Sequence, residues 1–329
     1  MGYIIPMGTG ATSSRVAADI ADQPAVMEQL AGRNDGALAA AREIVGGRGV
    51  VRIAGIGSSR RAAGYGSQVL DLLADTPATV FPAPGAGVAL PEFRPEHPLI
   101  VVSQSGGTPS LVDLAWRARS RGVDVVAITN DRSSLLADAA SVTLDCAAGA
   151  ERVVAATKSV TAQMLLLRML ARPMGAEELG AFVAAVSATL ELDMDPVVGG
   201  APPDGIVCAG VAGGWVAGEI ALKFAEMASV RVTSDEVVEH FHGPTAAAGS
   251  ILAFLDPDDP NSLELAGREG VRTVGPDKRF DVATPSTADA TLDPILRVAA
   301  GQRVAYDWAV ELGEDPDAPR GLAKVTETK

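Results

Sequence analysis

Apolar residues fall along this chain in two alternating patterns: short unbroken runs closed by glycine, and longer stretches with apolar positions three and four apart. The clearest run is LIVV at residues 99–102, the pattern of a strand buried on both faces of a parallel sheet. Ser103, Gln104, Ser105, two glycines, Thr108 and Pro109 follow it, and residues 110–121 then repeat at helical spacing. Thr108 stands at the capping position of that helix, Pro109 at its first residue, and Gly122 where a left-handed C-terminal cap belongs. A second strand, residues 123–129, completes a predicted βαβ unit.

The same grammar extends outward. Residues 1–15 read as a loose arm, and two helices are expected at 16–30 and 37–45, with a break at Pro24. Residues 50–54 form a strand that runs into the glycine–hydroxyl loop 55–59 and a second helix. A short helix at 134–140, a strand at 142–146, a long apolar helix entered through 151–158, and a helix at 176–192 complete the first half. Residues 193–204 (DMDPVVGGAPPD) read as a linker. After it the chain starts again. Residues 205–227 repeat the strand, glycine turn and helix of 49–72, and residues 250–277 echo the region around Ser103, so the pattern predicts an internal duplication. The resulting expectation is an α/β fold: residues 1–34 an arm and helix, 35–192 a phosphate-binding domain, and 193–329 a second domain with a C-terminal tail.

Hydroxyls and backbone N–H groups gathered at a helix N-terminus favour an anion, and glycines let its oxygens approach the chain. Loop 103–108 therefore reads as a phosphate cradle. In loop 55–59, Gly55 and Gly57 fit a dinucleotide fingerprint, but Arg60 occupies the third glycine's place. Ser58, Ser59 and Arg60 suit a compact phosphate or sugar instead. The second copy of the cradle carries Asp256, Asp258 and Asp259, which repel phosphate. A net charge of −14 argues against nucleic acid and an anionic membrane as partners, so an anionic substrate must be met locally. Cys146 and Cys208 lie in apolar surroundings and read as buried thiols of a reducing compartment. No secretory signal and no apolar span of membrane length is visible, and a cytoplasmic protein is expected.

Three further pieces carry titratable chemistry. Glu219, Lys223 and Glu226 share one helical face, on a helix expected to begin near Gly218. That spacing also describes an ordinary solvated ion pair. Two of the chain's three histidines, His240 and His242, stand beside Glu236 and Glu239. Without a third ligand motif this is not read as a metal site, and a general acid or base at His242, before Gly243-Pro244, is the alternative to a structural histidine. Lys324 lies in a tail, PRGLAK, with apolar flanks.

These motifs, taken in order, resemble the sugar isomerase (SIS) superfamily, and within it the isomerase half of glutamine–fructose-6-phosphate amidotransferases. SQSGGT at 103–108 resembles the family's phosphate loop. GSS at 57–59 and VAATK at 154–158 resemble its sugar-contacting turns, EIALKFAE at 219–226 its catalytic helix, and HGP at 242–244 and PRGLAK at 319–324 its remaining motifs. The resemblance implies two tandem SIS domains, each a doubly wound, flavodoxin-like parallel sheet flanked by helices. It implies that Ser103, Gln104, Ser105 and Thr108 hold a 6-phosphate with Ser58 and Ser59 nearby, and that Val154 and Ala156 line the sugar. Glu226 would move the proton between C1 and C2. His242 would assist ring opening from the neighbouring subunit of a homodimer, and Lys324 would meet the sugar carbonyl, supported by Lys223 and Glu219. No metal or organic cofactor is implied.

The chain departs from that pattern. It carries no glutaminase domain and no N-terminal cysteine nucleophile, Gly107 replaces an acidic residue, the arginine–glycine pair ahead of the catalytic helix is missing around Gly210, and Phe241 replaces a lysine. The expected activity is isomerisation of an amino-hexose 6-phosphate with loss of ammonia. Deglycation of a fructosamine 6-phosphate, plain aldose–ketose isomerisation, and sugar-phosphate sensing without turnover are the alternatives.

Overall fold

The computed structural model describes residues 14–46, 49–82, 92–247 and 249–321. Its strands are β1 (Val51–Ala54), β2 (Ala78–Val80), β3 (Leu99–Val102), β4 (Val125–Thr129), β5 (Val142–Asp145), β6 (Gly205–Cys208), β7 (Thr233–Glu236), β8 (Ile251–Phe254), β9 (Val271–Gly275) and β10 (Val282–Ala283). Its helices are α1 (Arg15–Ala21), α2 (Gln23–Val45), α3 (Ser58–Ala74), α4 (Pro109–Ser120), α5 (Leu135–Ala139), α6 (Lys158–Ala171), α7 (Ala176–Leu190), α8 (Gly213–Met227), α9 (Val237–Phe241), α10 (Pro260–Ala266) and α11 (Asp293–Glu311). The protein is α/β, with two parallel five-stranded sheets flanked by helices.

The chain divides into two compact units: residues 25–150 with 158–180, and residues 1–24 with 151–157 and 181–326. The first holds a sheet ordered β2-β1-β3-β4-β5. Every residue of β3 and β4 is buried, as their unbroken apolar runs require of central parallel strands. Strand β2, at the edge, is half-exposed and lacks an apolar run. Helix α3 packs on α6 so closely that a Cβ on Gly66 would sit 2.8 Å from the Leu167 methyls. Helix α4 begins at Pro109 and ends in a Schellman turn: Gly122 has φ +76°, and the Val123 amide donates to the Ala118 carbonyl at 3.1 Å.

The second unit's sheet runs β10-β9-β8-β6-β7. Counted from its own first strand, this is the order of the first sheet reversed in listing, so the duplication expected from sequence is present as a repeated topology. Its edge strand β7 is Thr-Ser-Asp-Glu, and charge there discourages pairing with another chain. Helix α8 meets α11 where a Cβ on Gly301 would lie 2.4 Å from Ile220. Helix α1 is capped by Ser14 and by the Asp317 carboxylate, which accepts from the Arg15 and Val16 amides at 2.8 and 2.9 Å and from the Ser14 hydroxyl at 3.0 Å.

Three expectations are corrected here. The N-terminal helices divide at Asp22 rather than Pro24, which is the second residue of α2, where a missing amide hydrogen costs nothing. Helix α2 then continues through Gly32 and Gly36 without the break between 30 and 37. Helix α8 starts at Gly213, not near Gly218. The close approach of its first turn to β6, where a Cβ on Gly213 would be 2.6 Å from the Cys208 carbonyl, is what the glycine permits. Among the described residues no helix is long and apolar enough to cross a membrane. The N-terminal arm and Lys324 lie outside the described residues, residues 14 and 15 excepted.

Candidate functional site

In the first sheet the chain leaves β1 and β3, adjacent strands, in opposite directions, which opens a crevice at their C-terminal ends. The two loops picked out from sequence sit at those ends. After β1, Gly57 (φ +61°) is the N-cap of α3 and Ser58 is its first residue. A Cβ on Gly55 would lie 2.4 Å from the Ser59 carbonyl, so glycine lets the helix start hard against the strand. Ser59 is buried and its hydroxyl donates to Gln163 on α6 at 3.2 Å.

After β3, Thr108 takes the N-cap position of α4 but its hydroxyl makes no capping bond. It lies 3.4 Å from the hydroxyl of buried Ser103 instead. The first turn of α4 therefore keeps amides without intrahelical partners, at the positive end of a twelve-residue helix, beside two hydroxyls. The Gln104 carbonyl accepts from the Asn130 amide at 3.0 Å, and the Ser105 hydroxyl accepts from the Gly107 amide at 3.3 Å. Gly106 is the residue the loop cannot replace. Its φ is +60°, and a Cβ would fall 2.0 Å from the Ser134 hydroxyl. The structure thus brings Ser103, Gln104, Ser105 and Thr108 together on one loop, with Ser58 and Ser59 on the neighbouring one.

The second unit gathers the carboxylates. On α8, Lys223 is fully buried, with Nζ 2.5 Å from Glu226 Oε2 and 3.4 Å from Glu219 Oε1. Glu219 is buried as well, while Glu226 keeps a partly exposed side chain. A pair that resembles a solvated surface bridge in sequence is therefore an interior one. Burial works against the Lys223 charge, but the carboxylates of Glu219, Glu226 and Glu151 outweigh it and hold the ammonium's pKa above its ordinary value.

Glu151 is the residue that sequence reasoning missed. It is buried, and its Oε1 accepts from the Thr157 amide at 2.8 Å and the Thr157 hydroxyl at 3.3 Å. Gln302 on α11 donates to the Thr157 carbonyl at 3.3 Å. The turn bearing Val154 and Ala156 is thereby closed on itself and its carboxylate acts on Lys223 in the same unit. The one available signal was its place at the head of ERVVAATK, a stretch already singled out for its turn. Arg297 was also missed. It is buried in α11 and donates to the Ala209 carbonyl beneath Gly210, whose φ is +74°. Burial pushes the Cys208 thiol up to about 12, with Arg297 opposing.

The two histidines part company. His240 is buried with Nδ1 3.9 Å from Asp235, and burial holds its pKa below the usual value, against the pull of Asp235 and with the help of Arg268. His242 follows the last residue of α9 and is exposed. No hydrogen bond or ion pair joins it to Glu226 among the described residues. Nor are three His, Cys, Asp or Glu side chains gathered as a metal site among them.

Comparison with known proteins bears on both units. The SIS domain family matches residues 49–173, the stretch that holds β1 to β5 and both hydroxyl loops. That stretch is a SIS domain. Over 93% of its length the chain is 32% identical to the glutamine–fructose-6-phosphate aminotransferase [isomerizing] of Aeropyrum pernix, of which it covers 56%. The chain spans about half the length of the curated relatives it matches. Among solved structures it shares the fold of the glucosamine-6-phosphate deaminase from Thermotoga maritima (TM-score 0.74, 21% identity, 94% of this chain and 99% of that one). It also shares that of the tagatose-6-phosphate ketose/aldose isomerase from Escherichia coli (TM-score 0.79, 17% identity, 99% of this chain and 100% of that one). The SIS domain carries the hydroxyl loops, and the carboxylate–lysine cluster lies outside the matched residues except at Glu151 and its turn.

Proposed function

We propose that this chain is a phosphosugar isomerase that acts on an amino-hexose 6-phosphate and releases ammonia, working as a homodimer. The observation that carries the reading is the buried Glu219–Lys223–Glu226 run on α8. A sensor needs an anion cradle but has no use for an interior ammonium held against a partly exposed carboxylate. In this reading Ser103, Gln104, Ser105 and Thr108 hold the 6-phosphate, with Ser58 and Ser59 beside it, and Val154 and Ala156 line the sugar. His242, from the partner subunit, gives a proton to the ring oxygen as the C1–O5 bond breaks, and the C1 hydroxyl gives its own to water. Glu226 then takes the proton from C2 and returns it to C1 while the C1 carbonyl oxygen takes up a proton from water, with Lys223 and Glu219 supporting the carboxylate and Lys324 near the carbonyl. The imine left at C2 is hydrolysed by water to fructose 6-phosphate and ammonia.

Glucosamine 6-phosphate is the substrate to test, with ammonia and fructose 6-phosphate measured together. Release of both, lost in Glu226→Gln, supports the reading. Turnover of a fructosamine 6-phosphate alone would move the assignment to a deglycase, and isomerisation without ammonia to a plain ketose–aldose isomerase. Binding without any turnover, unchanged in Glu226→Gln, would leave a sensor.

A further inference from the structure

The turn that carries His242 is gripped by a single guanidinium. Helix α9 ends at Phe241, the His242 amide donates to the Glu239 carbonyl at 3.0 Å, and the chain passes through Gly243 into the short 3-10 segment Pro244–Ala247. Before the turn, Phe241 packs against the apolar cluster of the second sheet that includes Val237, Leu255 and Leu265. Arg268, just past the end of α10, lies over that ring with its Cζ 4.5 Å from the centroid. Beyond the turn, Arg268 Nη1 donates to the Thr245 hydroxyl at 2.7 Å. Its Nη2 donates to Glu264 Oε1 at 2.8 Å, one helical turn back, which holds the guanidinium itself in place.

Between these two attachments the turn is held by its own backbone hydrogen bonds rather than by packing: among the described residues Gly243 has no atom within 4 Å of where a Cβ would stand, and His242 is exposed. Arginine suits this work because its planar group offers a face to an aromatic ring and in-plane donors at once, whereas an ammonium offers neither plane nor fork. A cation over a partly exposed ring is a modest contact by itself, and the hydrogen bond to Thr245 adds a second point, so that the turn is held at both ends. Phe241 takes part in this grip at the position where the resemblance to the amidotransferase family fails, which ties the device to this chain's own departure from the pattern.

We propose that Arg268 is a positioning residue: through Phe241 and Thr245 it fixes the His242–Gly243–Pro244 turn, so that the imidazole is presented in one orientation. Its bearing on chemistry rests on the role given to His242 above, and the test separates the two. The first measurement is hydrogen–deuterium exchange of the full chain, read at the His242 and Ala246 amides, the latter bonded to the Gly243 carbonyl at 3.0 Å. Arg268→Ala is expected to speed exchange over 240–247 by about tenfold, with Thr245→Val showing a smaller increase and Arg268→Lys lying between Arg268→Ala and the parent. Unchanged exchange in all three overturns the clamp. The second is a double-mutant cycle on turnover of the sugar phosphate. Arg268→Ala is expected to lower kcat about tenfold with KM within about twofold, and to add nothing once His242 is alanine. Equal losses in both backgrounds would sink the proposed action through His242. Faster exchange with His242→Ala leaving kcat untouched would instead remove His242 from the proposed mechanism and leave the clamp standing.

Discussion

Replacing Lys223 by methionine keeps the volume of a fully buried side chain and removes only its charge. Two carboxylates then face an apolar chain, Glu226 from 2.5 Å and Glu219 from 3.4 Å. At an effective dielectric near 20, unit charges at the longer of these separations attract by about 5 kcal/mol, a gain that desolvation of the pair largely offsets. Removing one partner forfeits the attraction and keeps the desolvation, and the usual outcome is a loss of roughly 3–5 kcal/mol. For this chain that corresponds to a drop in Tm on the order of 10 °C. Urea unfolding followed by circular dichroism at pH 7.5 reads the difference directly, provided the m-value is unchanged. Lys223→Met/Glu219→Gln removes one of the two carboxylate charges that lose the ammonium and should recover about 2 kcal/mol of the deficit. The pH dependence has a definite sign. Because the folded-state pKa of Lys223 is raised, its contribution is complete below its unfolded value near about 10.4 and is lost as the pH rises through the folded one. The gap between parent and variant should therefore stay level from pH 7 to 9 and narrow in stronger alkali. A single-variant cost under about 1 kcal/mol, or a double variant no better than the single, would refute the interior ion cluster as an energetic unit.

Gly106→Ala, with a Cβ aimed at Ser134 and a φ of +60°, should weaken sugar-phosphate binding by at least about tenfold and cost about 1–3 kcal/mol. Gly107→Ala meets nothing nearer than 3.9 Å and should leave calorimetric affinity unchanged, so equal effects at the two positions would count against the cradle. Asp307 is raised to about 6 by burial, with Arg303 opposing. The folded state then holds a proton that the unfolded chain has released, and stability should fall by up to about 3 kcal/mol between pH 4 and 6, a slope that Asp307→Asn should abolish in urea titrations. Cys208 at about 12 and buried Cys146 should both resist iodoacetamide at pH 8 in the native protein and react on unfolding. Native labelling of either would show an opening that the structure lacks.

The elements legible in sequence are those whose burial is written in unbroken apolar runs. Strands β3 and β4 and the capped helix between them stand where LIVV, Pro109 and Gly122 place them. Of the edge strands, β5 was legible, but β7 and β2 were not, because β7 is wholly polar and β2 is flanked by proline, so neither alternation nor an apolar run marks them. The start of α8 was misjudged because paired glycines at 213 and 214 read as a turn, when one of them is there to let a helix meet a carbonyl. Thr108 was placed correctly, yet its hydroxyl faces Ser103 rather than the helix, a choice set by the loop's tertiary shape. The interior position of Lys223 could not be read at all, since charges four apart on a helix have the same spacing whether water or protein surrounds them. Glu151 escaped for a related reason: its partner Lys223 is far along the chain, and only folding makes them neighbours.

The unit that carries the second sheet is assembled from three separated lengths of chain. A ribosome delivers α1 about 300 residues ahead of the Asp317 carboxylate that receives it. That helix must therefore wait for its seat until the second sheet has been made, while residues 25–150 and 158–180 can close before then. Cutting the polypeptide at residue 193 would leave α1 and Glu151 on the wrong fragment, so separate expression of the downstream piece should yield a polypeptide that needs the upstream one supplied in trans.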